Sequence, residues 1–339
     1  MKTVNIAVIG AGYWGPNLIR NFNNCPSARL VAVCDRDSDR LRKVLSGYPA
    51  VRGCNSTDEL FADSEIDAVA IATPVGTHAP LALAALSSGK HVLVEKPLAA
   101  KVADAEAMVN AAKQAGCVLM VDHTFLFSSP VQKMKELLDQ GELGDINFVD
   151  SVRINLGLFQ HDVNVVWDLA PHDLSIMDYL IGQLPRSLSA FGACHTPGSI
   201  GLEDVAYLNL DFGSGLLASF HVNWLSPVKI RSFIIGGSKK SVVFNDLEPS
   251  EKIRVYDRGI TIEESLESRR GVLIGYRTGD VWCPQLKQVE PLQELVRHFV
   301  HCIQTGATPI TDGGSGLRIV KILEAAQHSI KAQGGRITL

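Results

Sequence analysis

No stretch of this sequence stays apolar for the roughly 18 to 20 residues that a bilayer span requires. No run of lysine and arginine marks a surface for a polyanion either. Membrane and nucleic acid are therefore not expected as partners. The 7 cysteines (Cys25, Cys34, Cys54, Cys117, Cys194, Cys283 and Cys302) are odd in number, scattered, and free of C-x-x-C or zinc-ligand spacing. They read as small buried hydrophobes in a reducing compartment. The histidines are equally dispersed, so no metal is expected. Export is not expected: Lys2 is followed at once by the strand-like run Val4–Ile9, which ends in glycine instead of a signal-peptide cleavage site. These absences point to the cytoplasm.

What remains is ordinary globular material. The chain has 339 residues, 46% apolar and 20% charged, with a formal net charge of -4. That length exceeds what one core usually serves, so two domains are expected. From residue 4 to about 121, short β-branched runs alternate with segments of helical period. Val4–Ile9, Leu30–Val33, Ala68–Ala72, His91–Val94 and Val118–Val121 read as strands buried on both faces. Leu18–Phe22, Asp37–Leu45, His78–Ser88 and Ala103–Ala115 read as the helices between them, the pattern of a doubly wound parallel sheet. After a helical stretch near Val131–Leu138 and the break Gly141-Glu142-Leu143-Gly144, the texture changes. Ile146–Ile154, Val205–Phe212, Gly215–Trp224, Ile230–Gly236 and Ser241–Phe244 follow one another with short turns, which favours an open, mainly antiparallel sheet. One helix, Asp168–Ile181, interrupts this region, and two more, near Glu290–Thr305 and Ser315–Gln333, close the chain. The expected class is α/β: a doubly wound domain over 1–123, then an α+β substrate-binding and oligomerisation domain over 124–339, with the last helices free to return to the first.

The first strand leads directly into Gly10-Ala11-Gly12-Tyr13-Trp14-Gly15, which opens a helix. Two glycines allow a tight turn and a close backbone approach to a pyrophosphate, the third allows helix and sheet to pack closely, and the helix N-terminus offers N–H groups to the anion. Asp35 ends the second strand 20 residues beyond Gly15, where a carboxylate accepts from ribose hydroxyls. Strand, glycines, helix and acid together specify a Rossmann dinucleotide site. Arg36 beside the acid would attract a 2′-phosphate, but Asp35 repels one, so NAD is expected ahead of NADP.

Lys96 lies in Glu95-Lys96-Pro97, where the run His91–Val94 ends, at the sheet edge that binds ligands in open α/β folds. Asp168 and His172 are four apart at the start of a helix that tolerates Pro171 only in its first turn, so both face the same way. An acid so placed fixes the orientation of a histidine that accepts a proton.

With these residues in view, the sequence resembles the glucose–fructose oxidoreductase, inositol dehydrogenase and rhizopine-catabolism (Gfo/Idh/MocA) family. The likeness rests on Gly10, Gly12 and Gly15, on Ala72-Thr73-Pro74 with His78, on Glu95-Lys96-Pro97, and on Trp167-Asp168-Leu169-Ala170-Pro171-His172-Asp173. It extends to Glu290-Pro291-Leu292, His298-Phe299, Thr305-Gly306, Pro309 and Thr311-Asp312-Gly313. The resemblance implies an NAD-dependent dehydrogenase of sugar hydroxyls. It places Tyr13, Trp14, Thr73, Pro74, His78, Glu95, Lys96 and His123 with the cofactor, His172 as base, Lys96 as electrostatic and proton-transfer partner, and Asp168 as substrate contact or orienter. Arg153, Asn155 and Asn164 are the further polar residues expected near substrate, whereas Trp282 is expected to pack a core ahead of a sugar face. Many relatives have a glycine-histidine followed by arginine or asparagine where this chain has Asp122-His123-Thr124-Phe125-Leu126-Phe127, so substrate contacts do not transfer there unchanged.

The Trp167–Asp173 segment and Arg277-Thr278-Gly279-Asp280 resemble members that oxidise UDP-linked N-acetylhexosamines at C3, which makes a nucleotide sugar the first expectation. A free sugar or inositol is the alternative substrate. A non-catalytic dinucleotide sensor is the alternative of another class, disfavoured because it has no use for Lys96, Asp168 and His172 together. Relatives commonly cover the second domain's open sheet by self-association, so a homodimer or homotetramer is expected.

Overall fold

The computed structural model describes residues 2–157, 159, 163–196, 201–262 and 274–339. The chain divides into two compact units: residues up to Ser128 with Val289–Glu324, and Ser129–Gln288 with Ala325–Leu339. Among the described residues no helix is long and apolar enough to cross a membrane.

The first unit alternates strand and helix in chain order: β1 (Val4–Ile9), α1 (Gly15–Asn23), β2 (Ala28–Cys34), α2 (Ser38–Leu45), β3 (Arg52–Cys54), α3 (Thr57–Ala62), β4 (Ala68–Ile71), α4 (His78–Ser87), β5 (His91–Glu95), α5 (Val102–Ala115) and β6 (Leu119–Asp122). The strands form one parallel sheet ordered β3-β2-β1-β4-β5-β6. Every residue of β4 is buried, as a strand covered by helices on both faces demands. Strand order reverses between β1 and β4, which opens a crevice at the carboxyl edge of the sheet. The loops after β1, β2, β4, β5 and β6 all emerge at that edge. The helices α2 and α3 are started by Asp37 and Ser56, whose side chains accept backbone N–H groups of the first turn. Both β3 and α3 went unread in the sequence, because Arg-Gly-Cys carries no apolar period.

The second unit holds α6 (Ser129–Asp139), β7 (Ile146–Leu156), α7 (Val165–Ile181), β8 (Ser187–Ala193), β9 (Val205–Asp211), β10 (Leu217–Asn223), β11 (Leu225–Gly237), β12 (Ser241–Asn245), β13 (Ile253–Ile262) and β14 (Ile274–Trp282). Then α8 (Pro291–Thr305) and the start of α9 (Gly313–Lys331) belong to the first unit, while the end of α9 and β15 (Ile337–Thr338) complete the second. The second sheet runs β14-β13-β12-β11-β7-β10-β9-β8-β15, antiparallel throughout except for the β7–β10 pair. Alternation in β9 and β10 buries Ala206, Leu208, Ala218 and Phe220, and α7 packs against β7, β9 and β10. On the other face Phe148, Leu217, Tyr207 and Phe191 are exposed, and register makes Phe148 the neighbour of Leu217 and Phe191 that of Tyr207.

The helix α7 begins three residues before the expected Asp168. Asn164 caps it, its side-chain oxygen accepting the Trp167 N–H at 3.1 Å. Pro171 therefore sits inside the helix and not in its first turn, and it lacks the N–H that would reach the Trp167 carbonyl.

The return of α8 completes the core of the first unit. Phe299 is fully buried and meets Phe22 of α1 edge-on, with ring centroids 6.4 Å apart. Arg20 of α1 pairs with Glu290 at the start of α8. Phe299→Ala is expected to lower unfolding free energy by about 3–5 kcal/mol, measured by urea denaturation. A loss under about 1 kcal/mol would mean that α8 is not part of this core.

Candidate active site

In the first unit the glycine-rich loop is built by close backbone approach. Gly10 has φ +98°, and a Cβ on it would lie 2.5 Å from the Ala72 carbonyl oxygen. A Cβ on Gly15 would lie 2.0 Å from the Gly10 oxygen. Packing of the loop on itself and on the end of β4 thus requires both glycines. Gly12 is different: nothing lies within 4 Å of where its Cβ would be. The protein has no steric use for that glycine, but a pyrophosphate approaching the backbone does.

Asp35 is buried at the end of β2. Its Oδ2 accepts the Ala11 N–H at 2.7 Å and its Oδ1 accepts the Asp37 N–H at 2.8 Å. A carboxylate offers about four lone-pair positions, so two bonds fix it to the glycine loop and capacity for a ribose diol remains. The arginine beside it is Arg40, 3.6 Å from Oδ2, a neighbour the sequence reading overlooked. Arg36 is exposed. These observations fit a dinucleotide held by the loop from Gly10 to Gly15 and by Asp35. Tyr13 in the loop is 87% exposed, whereas Trp14 turns inward and donates from Nε1 to Asp122 Oδ2 at 3.1 Å.

Thr73 and Pro74 follow β4, and the Thr73 hydroxyl lies 2.7 Å from that of Thr77. His78 is buried beneath them. Its Nε2 is 2.8 Å from the Thr73 carbonyl oxygen and its Nδ1 is 2.9 Å from that of Pro97, so the ring clamps the turn after β4 to the turn after β5. Lys96 and Pro97 in that second turn are joined by a cis peptide. Glu95 Oε2 accepts the Lys96 N–H at 2.9 Å. Burial, and then the neighbouring Asp122, push the Glu95 carboxyl well above the usual carboxylate range. Phe127 is buried and packs on His298 of α8 with centroids 5.4 Å apart, so it fills the interior.

In the second unit Asp168 and His172 lie one turn apart on α7, both half-buried. The fully buried Trp224 donates from Nε1 to Asp168 Oδ2 at 3.2 Å, which aims the carboxylate. Beside His172, Asp173 receives a bidentate pair from Arg153 of β7, at 2.7 and 2.8 Å, with both side chains buried. Arg153 thus fastens α7 to the sheet. Asn164, besides capping, donates to Glu203 Oε2 at 2.5 Å and Gln327 Oε1 at 2.6 Å, which commits its polar atoms to the interior. Asn155 stands half-buried two residues after Arg153. Trp282 was expected in a core. It lies half-exposed on the edge strand β14 beneath Lys240, whose Nζ is 4.9 Å from the ring centroid. Trp224, which holds Asp168, was not singled out from sequence, and Asp173 was quoted there only as part of the Trp167–Asp173 motif, without its tie to Arg153.

A family model for the oxidoreductase family with NAD-binding Rossmann fold matches residues 4–123, and the model of the GFO/IDH/MocA C-terminal domain matches residues 131–243. The chain belongs to the Gfo/Idh/MocA oxidoreductase family. It is therefore an oxidoreductase with an NAD-binding domain. Among relatives of the Gfo/Idh/MocA type, it is 27% identical to the D-apiose dehydrogenase of Paraburkholderia graminis, over 98% of this chain and 88% of that protein. An oxidoreductase structure from Magnetospirillum magnetotacticum is 31% identical, with a TM-score of 0.82, covering 96% of this chain and 99% of that one. The UDP-N-acetylglucosamine 3-dehydrogenase structure from Acidithiobacillus ferrooxidans shares the fold, with 22% identity, a TM-score of 0.83, and coverage of 98% and 99%.

His123, after β6, is only 3% exposed, and neither ring nitrogen has a hydrogen-bond partner among the described residues. Burial, and then the positive charge of Lys96, pull its pKa from 6.5 down to about 3. In the unfolded chain the ring protonates below about 6.5, so the fold loses stability as pH falls from there towards 3, by about 1.4 kcal/mol per pH unit for one proton. His123→Leu should accordingly flatten the fall in melting temperature between about pH 6.5 and about pH 4.5. An equally steep fall in the variant would show that the imidazole does not contribute to it.

Proposed function

We propose that this oxidoreductase removes hydride from a secondary hydroxyl of a sugar, at C3 of a UDP-linked N-acetylhexosamine, leaving a ketone. The observation that carries the reading is a glycine loop and ribose acid fit for NAD in one unit, with Lys96 at the same sheet edge, while the other unit presents Asp168 and His172 on one helical turn. Bound NAD supplies the hydride acceptor. The protein must take the hydroxyl proton and stabilise charge on the oxygen. His172 is assigned as the base, Lys96 as the cation that stabilises the developing alkoxide and takes part in proton transfer, and Asp168, held by Trp224, as the group that orients substrate or base. Arg153 and Asn164 are assigned to holding α7, with Asn155 as a further substrate contact. The first unit is thus the cofactor half and the second the substrate half.

The UDP-sugar assignment is supported by the Trp167–Asp173 and Arg277–Asp280 segments and by the shared fold of the UDP-N-acetylglucosamine 3-dehydrogenase. A free sugar is the second reading, supported by the likeness to a D-apiose dehydrogenase along nearly the whole chain. Two exposed cross-strand pairs on one sheet face, Phe148–Leu217 and Phe191–Tyr207, support assembly into a homodimer or homotetramer.

Lys96→Ala and His172→Ala are each expected to lower turnover by roughly 10²-fold or more with NAD affinity nearly unchanged, and Asp168→Asn to be milder. Steady-state rates and NAD titrations test this. Near-normal turnover in Lys96→Ala would overturn the catalytic assignment of Lys96. Oxidation of an alcohol by NAD is uphill near neutral pH, so the substrate panel should be coupled to an aminotransferase that removes the keto product. Deuterium placed at C3 of the UDP-sugar is expected on the reduced nicotinamide. If a free sugar or inositol gives the higher kcat/KM, the substrate assignment fails and the Lys96 and His172 assignments stand.

A further inference from the structure

The carboxyl ends of β5 and β6 bring together two acids that the proposed chemistry leaves unused. Glu95 and Asp122 are register partners on these parallel strands, so their side chains leave the sheet on the same face. Glu95 Oε2 accepts the Lys96 N–H, while its Oε1 is buried with no donor among the described residues. Asp122 Oδ2 accepts the Trp14 indole N–H at 3.1 Å, and Oδ1 accepts the Thr124 hydroxyl. As register partners, the two carboxyl groups stand side by side at the strand ends.

Two buried acceptors facing each other with no donor between them repel, and removal from water strengthens the repulsion. One proton converts the repulsion into a hydrogen bond. The groups around the pair leave that solution open. His123 is neutral and adds no positive charge, while Lys96 favours ionisation of Glu95 but is outweighed by burial and by Asp122.

We propose that Glu95 and Asp122 share one proton and act as a positioning pair, tying Trp14 of the glycine loop to the Lys96–Pro97 turn. Glu95 Oε1 carries the proton and donates to Asp122. The single remaining charge stays on Asp122, where the indole N–H and the Thr124 hydroxyl satisfy it. One proton then sets both the loop that faces the dinucleotide and the backbone that carries Lys96. Loss of that proton leaves two adjacent anions and strains both connections. Because Glu95 stays protonated in the fold above its ordinary range, the stabilisation is present at lower pH and disappears as pH rises through the raised value.

The functional half of this proposal rests on Lys96 taking part in the reaction, whereas the shared proton does not, so the two are tested apart. Full-length protein with ¹³C-labelled side-chain carboxyl groups should show one carboxyl titrating well above the ordinary range and missing in Glu95→Gln. Trp14 fluorescence, isolated by difference from Trp14→Phe, should follow the same titration. If every carboxyl titrates in the ordinary range, the shared proton is disproved whatever the substrate. For the positioning role, Asp122→Ala should lower kcat by about 10- to 100-fold with little change in KM. Asp122→Asn, which offers Glu95 an N–H and Trp14 an oxygen, should restore kcat to within about threefold and abolish the loss of activity expected of the wild type as pH rises through the raised Glu95 value. An unchanged kcat in Asp122→Ala, or an unaltered pH profile in Asp122→Asn, would overturn the positioning role while leaving the assignment of Lys96 intact.

Discussion

At the carboxyl edge of the six-stranded sheet, three backbone segments come closer together than any side chain permits. The turn after β1 touches the end of β4 at Gly10 and Ala72, and α1 starts against the Gly10 carbonyl at Gly15. That contact fixes the direction in which α1 leaves the sheet and lets the Ala11 N–H reach Asp35 across 2.7 Å. It also turns Trp14 inward onto Asp122. The NAD-binding features of the first unit therefore follow from one steric constraint, and the neighbouring turns are fastened to it: His78 joins the carbonyls of Thr73 and Pro97, and Glu95 holds the N–H of Lys96.

The second unit solves a different problem. A helix bearing Asp168 and His172 must keep a fixed rotation over an open sheet although a proline interrupts its hydrogen bonding. Three polar anchors do this. Asn164 binds its start, the buried Arg153–Asp173 pair grips its middle, and Trp224 holds the Asp168 carboxylate. A buried ion pair adds little net stability compared with apolar packing, but its bidentate geometry admits one orientation, and removing one partner leaves a costly charge. Such a pair suits a helix whose facing matters more than its affinity for the sheet.

What was legible in the sequence divides along the same line. Constraints that restrict residue type locally left clear marks: Gly10, Gly12 and Gly15, the buried β-branched strands, the lysine-proline turn, and the i, i+4 spacing of Asp168 and His172. Partnerships between distant positions left none. Arg153 and Asn164 looked like substrate contacts because they are polar, yet their partners Asp173 and Glu203 lie 20 and 39 residues away. Trp14 and Asp122 are separated by 108. The true start of α7 was hidden for the same reason, since Asn164 works as a cap within a network that includes Gln327. Trp282 lies on an edge strand under a lysine, a placement that no local pattern encodes.

The long helix α9 contributes its beginning to the first unit and its end to the second, and β15 then pairs with β8. Neither unit is contiguous in the chain, and each is completed by residues from the C-terminal end. During synthesis, then, the first unit lacks α8 until most of the second has been made, and the second receives β15 only after the last segment of the first. The two halves therefore do not follow one another as beads on a string, and no single cut in the gene would give two fragments that each hold one unit whole.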